Sequence, residues 1–410
     1  MRLAWWAWSI VAFFTLATAQ SMPQCASDCL SASLETSSCS PTDAECICTD
    51  QALMGSIQLC VLGSCTVIEG LAAQNATSTM CGDPVRDRSL VAPIATAVTG
   101  TLAIAFVLLR GYDCTVRKEY KLADLCAVAA LIFSFPMDIF EFFMMASGMG
   151  KDIWTLTPKQ ITNTYTWVTQ VFYIPAIILT KVAILCFFMQ VFPNSQFRLL
   201  CQGTIVFCFL FMISTTIAAI LACVPVELAW SNWSGEGEGL CFDNNAFWWA
   251  HSAINIATDL FILAMPIPML LKLQLKLKKK VYLVLMFSVG IVITVISIVR
   301  FSGLITYSTS SNPTYNNVNV ATYSVIECNI SIMCCCMPAL LSCLRRSFPR
   351  IFGSTNRSLN YNNTPFSSGG AVSGGIQKSV THKVSYLPRA GHSDDAVELV
   401  DREVERKGPW

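Results

Sequence analysis

Seven long apolar runs occupy most of the chain between residues 90 and 344, and short polar connections separate them. Each run is close to or above the roughly 20 residues that a helix needs to cross a bilayer. The pattern predicts an all-α membrane protein whose main domain, residues 90–345, is a bundle of seven transmembrane helices. The runs are Leu90 to Leu109, Leu122 to Ser147, Thr166 to Phe192, Leu199 to Val224, Ala246 to Leu271, Val281 to Tyr307 and Val318 to Leu344.

The two ends of the chain differ from this central pattern. Residues 1–19 hold one arginine, an apolar stretch and the small-residue ending Ala17-Thr18-Ala19, a combination typical of a cleaved signal peptide. An uncleaved first anchor is the alternative. Residues 346–410 are rich in Ser, Gly and Asn without sustained periodicity, which predicts a disordered tail.

Composition excludes several classes of protein. Of the 410 residues, 54% are hydrophobic and 13% are charged, which does not match a soluble globule with an ordinary polar surface. The formal net charge of +1 gives no argument for a nucleic-acid partner; membrane lipid is the partner that the apolar runs require. The sequence holds three histidines and no Ser/His/Asp set or zinc-ligand spacing, so we expect no enzyme activity.

Lysine and arginine concentrate in alternate connections between the runs, and such connections face the cytoplasm. The sequence therefore predicts a multi-pass plasma-membrane protein with an extracellular N-terminus and a cytoplasmic tail. Arg86 and Arg88 oppose this trend, but Asp83 and Asp87 lie beside them. The basic residues of the inner connections are Arg110, Arg117, Lys118, Lys121, Arg198, Lys272, Lys276, Lys278, Lys279, Lys280, Arg345, Arg346 and Arg350, and the opposite connections hold Lys151 and Lys159.

The lysine-rich link from Lys272 to Lys280 has two interpretations. It fits a stop signal held at an anionic inner leaflet, and it also fits a docking site for a cytoplasmic partner.

Of the twenty cysteines, eight fall between Cys25 and Cys81 on the predicted outer side, and most of the others lie inside the apolar runs. A segment this small that lacks Phe, Tyr and Trp between residues 21 and 90 cannot build an adequate apolar core, so we expect four disulfides to stabilise it. Cys223 and Cys241 flank an outer loop and are expected to form a further bond. Asn75 and Asn232 begin glycosylation sequons on the same side. The eight cysteines, whose pairing the spacing leaves open, are Cys25, Cys29, Cys39, Cys46, Cys48, Cys60, Cys65 and Cys81.

Ionisable residues inside the runs are the main functional signal, because such residues are costly in a membrane unless they are paired or hydrated. We predict interhelical ion pairs that line one outward-facing cavity, with Lys181 and Asp259 matched in depth near the middle of the membrane. A purely structural role, in which the pairs lock the helices together, is the alternative. The set consists of Asp138, Glu141, Lys181, Asp259, Arg300 and Glu327.

The cysteine spacing C-x3-C-x9-C-x6-C-x-C-x11-C-x4-C-x15-C closely resembles the fungal CFEM domain over residues 20–85. In haem-binding members of that family, an aspartate between the third and fourth cysteines ligates the ferric iron, and Asp43 stands at that position. The resemblance therefore makes Asp43 a candidate iron ligand and haem a candidate cofactor. The alternative is that Asp43 caps a helix.

Several blocks of the bundle resemble the fungal rhodopsin-like membrane family. They are KVAILCFFMQVFP, CVPVELAW, DLFILAMPIPMLLKLQLKLKKK, SIVRFSGL and YSVIECNISIMCCCMPAL. Opsins hold retinal on a lysine of the seventh helix, and the run Val318 to Leu344 contains none, so a light receptor is not expected.

Together with a CFEM domain, these blocks are similar to the Pth-type receptors of filamentous fungi. That resemblance implies a G-protein-coupled-receptor-like sensor of host or surface cues, with an extracellular ligand and a heterotrimeric G protein as partners. The alternative function is haem or iron acquisition, in which the bundle anchors a haem-binding CFEM domain.

Overall fold

The computed structural model describes residues 22–162, 164–235, 237–272 and 277–347. The predicted signal peptide at residues 1–19 lies outside the described residues, as does the predicted tail from residue 348 onward. The lysine side chains of the link between the fifth and sixth runs also lie outside them.

Four short helices form the N-terminal domain. The apolar core among them is small and consists mainly of Cys39, Ile47 and Leu53. Three helices begin at a side-chain cap, from Asp43, Asp50 and Thr66. The helices are α1 (Gln24–Leu34), α2 (Ala44–Thr49), α3 (Gln51–Ser64) and α4 (Val67–Cys81).

Four disulfides supplement this small core, as expected for so short a segment. One disulfide joins α1 to α3, and a second joins α1 to the residue directly after α3. A third closes the turn before α2, and the fourth joins α2 to the end of α4. The pairs are Cys25–Cys65, Cys29–Cys60, Cys39–Cys46 and Cys48–Cys81. Glu69 completes the cap of α4, and hydrogen bonds from the Thr66 backbone and hydroxyl lower the pKa of its carboxyl group.

Seven long helices follow, and each is long and apolar enough to cross a membrane. The predicted fold class, a seven-helix membrane bundle with a small disulfide-rich helical N-terminal domain, is confirmed. The helices are α5 (Val91–Arg117), α6 (Leu122–Ala146), α7 (Tyr165–Val191), α8 (Ser195–Ile220), α9 (Asn244–Ala264), α10 (Leu277–Ser308) and α11 (Pro313–Ser347).

Two of the helices end before the C-terminal bounds that the apolar runs predicted. The fourth was expected to extend to Val224, but α8 ends at Ile220 because β1 (Cys223–Val224) pairs with β2 (Leu240–Cys241). The fifth was expected to reach Leu271, but α9 ends at Ala264. A separate short helix, Ile267–Lys272, follows it. Pro266 and Pro268 interrupt the helical hydrogen bonds, because proline has no backbone N–H.

Helix α7 lies at the centre of the bundle. Its residues from Tyr173 to Ala183 are all buried, and it packs against α6, α8, α9 and α11. The lipid-facing helices α5 and α8 instead bury only a narrow stripe of side chains. Lys181 therefore stands on the helix that offers its charge the least access to lipid or water, so a protein partner is required.

A hydrogen-bonded clamp joins the linker that follows the N-terminal domain to two helix connections at the same end of the bundle, which we call the outer end. Asp152, which is fully buried, accepts hydrogen bonds from the Arg86 backbone, from Arg86 Nε and Nη2 at 3.1 and 2.8 Å, and from Asn312 Nδ2 at 2.6 Å. The Arg86 guanidinium also lies 4.4 Å from the Tyr315 ring centroid. Arg86 thus serves as the partner of Asp152 and ties the linker before α5 to the α6–α7 and α10–α11 connections.

Replacing Asp152 should loosen this clamp. We expect Asp152→Ala to lower the free energy of unfolding by about 2–3 kcal/mol, because charge-assisted bonds from Arg86 and one from Asn312 are lost together. The check is thermal unfolding of the full chain in detergent micelles, with Asp83→Ala as control, since Asp83 is an exposed carboxylate on the same linker. Equal melting temperatures for the two variants would contradict this role.

Candidate functional site

A buried polar network occupies the bundle between α7, α9, α10 and α11. The structure places Lys181 Nζ 2.8 Å from Asp259 Oδ1, and the same ammonium donates to the Asn255 carbonyl at 2.7 Å. Lys181 is 4% exposed, so the two oxygens replace the water that a buried cation would otherwise need. Asn255 and Asp259 are one turn apart on α9, which is why a single ammonium reaches both.

The second ion pair joins α10 to α11. Arg300 Nε lies 3.1 Å from Glu327 Oε2, without the alignment of a directed hydrogen bond. Arg300 Nη2 donates to Ser252 at 3.0 Å, and its guanidinium carbon lies 4.8 Å from the Tyr173 ring centroid. The arginine is therefore held from three sides.

Glu327 is the most enclosed charge of the network, with no exposed surface. Its Oε2 accepts a hydrogen bond from the Tyr173 hydroxyl at 3.0 Å, and its Oε1 accepts from Asn255 Nδ2 at 2.9 Å and from Ser297 Oγ at 2.7 Å. Three donors and an adjacent guanidinium satisfy both carboxylate oxygens. Such complete satisfaction is the condition under which a buried charge is tolerated.

Asn255 and Ser297 connect the two ion pairs. Asn255 bonds to Lys181 through its carbonyl and to Glu327 through its amide. Ser297 Oγ lies 2.7 Å from Glu327 and 3.5 Å from Asp259. A shift of either pair must therefore change the bonding of the other.

Asp138 and Glu141 lie on α6, outside this network. Asp138 Oδ1 accepts from Asn329 Nδ2 at 3.3 Å, and Asn329 also contacts Ser134 and Thr99. Glu141 is 2% exposed, and its Oε1 has no hydrogen-bond partner. Neither carboxylate forms an ion pair with a basic residue in the part of the chain that the structure describes.

The expectation of one outward cavity lined by both pairs is wrong. Arg300 lines an outer cavity of about 80 Å³ together with Glu141 and Tyr173. Lys181 and Asp259 line a separate cavity of about 40 Å³ that extends in the opposite direction, to Met286 and Cys334. The cavities are separate because Tyr173, Arg300 and the fully buried Glu327 fill the bundle between them.

His251 is a buried polar residue that the sequence pattern did not reveal. It lies one residue before Ser252 on α9, is 2% exposed, and neither ring nitrogen has a hydrogen-bond partner. Its ring stacks on Phe211 at a centroid distance of 5.3 Å and meets Trp248 edge-on at 5.5 Å. A single histidine does not change the hydrophobic periodicity of an apolar helix, so its burial becomes evident only from the packing.

A further ion pair lies at the opposite end of the bundle from the clamp. Arg110 Nε donates to Asp124 Oδ1 at 2.7 Å, and Arg110 Nη1 donates to the Cys335 carbonyl. This inner lock joins α5, α6 and α11. The sequence suggested only that Arg110 is one of the inner basic residues, because its pairing with Asp124 depends on how the helices pack.

Asp43, the candidate haem ligand, caps a helix. Its Oδ1 accepts from the Cys46 backbone amide at 3.1 Å, and the side chain is exposed. The neighbouring Ser40, Thr42 and Glu45 are also exposed and polar. They offer no apolar face of the kind that a haem macrocycle requires, so we derive no role for haem.

The remaining predicted positions lie on the same side as the clamp. Cys223 and Cys241 face each other across the β1–β2 pair and form a disulfide. Asn232 is exposed at the start of a 3-10 turn, whereas Asn75 lies half-buried within α4. Of the two sequons, the site at Asn232 is the more accessible.

The chain is similar to two known families and to several curated proteins. A model described as the fungal rhodopsin domain matches residues 109–346, and a model described as the CFEM domain matches residues 18–82. A SAT4 family membrane protein of Emericella nidulans is 28% identical over 203 residues, which is 46% of this chain and 50% of that protein.

Two further relatives have names that refer to biosynthetic gene clusters. Satratoxin biosynthesis SC1 cluster protein 4 of Stachybotrys chartarum is 28% identical over 132 residues, or 32% of this chain and 46% of its own length. Polyenoic acids biosynthesis gene cluster protein Ba17b of Metarhizium anisopliae is 22% identical over 192 residues, or 44% and 52%.

This chain thus spans about half the length of the curated relatives it matches. The fungal rhodopsin model covers more than half of the chain and includes every residue of the buried network. The chain therefore belongs to the fungal rhodopsin family and carries a CFEM domain ahead of its seven-helix bundle.

Proposed function

We propose that this protein is a cell-surface receptor that senses an external or host-derived chemical cue and signals to cytoplasmic partners, among them a heterotrimeric G protein. The observation that carries the proposal is the continuous polar network beneath the outer cavity. It runs from Arg300 in the cavity wall, through Glu327 and Ser297, to Asp259 and Lys181 on the inner side.

The proposed orientation places the CFEM domain outside the plasma membrane and the tail in the cytoplasm, after removal of residues 1–19 as a signal peptide. The five disulfides support it, because all of them lie at one end of the bundle. Disulfides form and persist on the oxidising side of a membrane. The basic connections described above favour the same orientation.

A linked set of buried charges can hold the helices in either of two discrete arrangements. Closely packed interiors do not deform continuously, so a ligand that displaces Arg300 would favour a second discrete arrangement of the helices. Since Arg300 and Glu327 are on α10 and α11, the change would be passed to the inner ends of these helices. The inner lock of Arg110 holds α11 there through the Cys335 carbonyl.

The direct test is a ligand screen on the intact protein with G-protein activation as readout. We expect at least one extracellular small molecule to raise nucleotide exchange on a reconstituted fungal G protein. A variant without the CFEM domain, which keeps the Cys223–Cys241 disulfide of the bundle, serves as a comparison that separates ligand capture by that domain from signalling. A protein that binds ligand yet activates no G protein would count against the coupling.

Ser297→Ala is expected to separate stability from signalling. The variant removes the hydroxyl that bridges Glu327 and Asp259 but keeps both ion pairs, so it should cost about 1 kcal/mol and leave the surface level near wild type. We expect the ligand response to fall several-fold. The matched control is Ser302→Ala on the same helix, because Ser302 is exposed and bonds only to the Val299 carbonyl. Equal ligand responses from the two variants would show that the Ser297 hydroxyl does not contribute to signalling.

The Lys181–Asp259 pair gives a stability prediction. Lys181→Met should cost about 3–5 kcal/mol, because it leaves Asp259 buried without its counter-charge. Adding Asp259→Leu should restore most of the loss, since an apolar pair of similar volume is tolerated in place of a buried ion pair. The measurement is the melting temperature of detergent-solubilised protein, and a double variant no more stable than Lys181→Met would refute the pairing argument.

A further inference from the structure

The outer cavity is enclosed by five of the seven long helices. Its wall is formed by α6, α7, α9, α10 and α11, and its volume is about 80 Å³. Asn244 and Asn245, which are exposed at the start of α9, and Asn317, near the start of α11, line it as well. These positions lie at the end of the bundle that carries the clamp, so the cavity is entered from the side of the N-terminal domain.

The cavity wall holds one arginine and one glutamate, and of these Arg300 alone has a partner of opposite charge among the described residues. Arg300 lies 3.1 Å from Glu327 and is neutralised by it. Glu141 is buried, lines the cavity, and has one oxygen without a hydrogen-bond partner. A carboxyl group in such a place either takes up a proton or is matched by a positive partner. No basic residue among those described forms an ion pair with it, so this carboxyl group is available to a cation that enters the cavity from outside.

A second unsatisfied group lies in the same wall. Trp248 is 8% exposed, and its Nε1, a hydrogen-bond donor, has no acceptor. The cavity is also lined by Met137 and Met144, whose polarisable thioethers suit an apolar stem. A ligand complementary to this cavity carries a hydrogen-bond donor for Glu141, an acceptor for Trp248 and an apolar stem.

We propose that the outer cavity binds a small organic ammonium ion, with its charged nitrogen at Glu141 and a hydrogen-bond acceptor of the ligand at the Trp248 indole N–H. The Trp248 ring adds an electron-rich face that attracts a cation. An anionic ligand fits less well, because Arg300 is already paired with Glu327. This inference rests on the proposed receptor function for its purpose, since the ammonium ion would be the sensed cue.

The volume limits the size of the ligand. A water molecule needs on the order of 10–15 Å³ of such space, so the cavity holds roughly five to eight waters. A ligand of about the same number of heavy atoms displaces them. Ethanolamine, 4-amino-1-butanol and choline fall within or near this range, and each combines an ammonium group with a hydroxyl that can accept from the indole N–H. Ethylene glycol and 1,4-butanediol match the first two in length but carry no charge.

The test is binding of these five compounds to the full chain in lipid nanodiscs, measured by calorimetry and by the shift in melting temperature. We expect at least one amine to bind and its neutral counterpart not to bind. Glu141→Gln should weaken binding by at least about tenfold, as expected for loss of a charge-assisted contact. Glu141→Asp, which keeps the charge on a shorter stem, should retain part of the affinity.

Asp138→Asn is the matched control, because Asp138 is one turn from Glu141 but does not line the cavity. It should bind the amine within about twofold of wild type, as no contact with the ligand is lost. The proposal is overturned if no amine binds wild type, if the neutral diols bind equally well, or if Glu141→Gln binds as tightly as wild type.

G-protein activation measured in the same nanodiscs separates this proposal from the receptor function. Binding that depends on Glu141 without any nucleotide exchange would refute the receptor function and leave the amine site standing. Activation by another ligand class, with no amine binding, would do the reverse.

Discussion

The burial of Glu327 is the constraint on which the rest of the bundle depends. A carboxylate without solvent exposure, in the middle of seven apolar helices, costs several kcal/mol unless all its oxygens are satisfied. The structure satisfies them from three other helices, with Tyr173 from α7, Asn255 from α9, and Ser297 with Arg300 from α10. One residue of α11 thereby fixes the depth and rotation of its neighbours.

Two further sets of polar contacts lie at the two ends of the bundle. The clamp of Arg86, Asp152 and Asn312 fixes the outer connections relative to the N-terminal domain. The inner lock of Arg110 and Asp124 fixes α5, α6 and α11 at the other end. Packing between apolar helices gives little directional preference inside a membrane. The clamp, the Glu327 network and the inner lock therefore specify how the helices are arranged, which apolar surfaces alone do not.

The sequence predicted the fold because each part of it rests on a local pattern. Seven runs of apolar residues identify seven helices, and eight cysteines without aromatic neighbours indicate a disulfide-stabilised domain. The same reasoning selected the ionisable residues inside the membrane, such as Lys181, because a charged residue within an apolar run is easy to recognise. It failed for contacts that depend on helix rotation. Asp152 and Asp124 lie near the ends of helices, where a charged residue is ordinary, so their burial could not be anticipated.

The division of the polar residues into two cavities also lay beyond sequence reasoning, and it changes how the charges are interpreted. Depth along a helix places Arg300 and Glu141 in the outer half, but only rotation decides that both face the same space. Once Arg300 is paired with Glu327, the described residues offer the carboxyl group of Glu141 no partner of opposite charge in that wall. Paired charges hold helices in place, whereas an unpaired carboxyl group beside a cavity contributes little to helix packing and is free to bind the cation that we propose. The structural and ligand-binding interpretations of the intramembrane charges therefore apply to different residues of the same bundle.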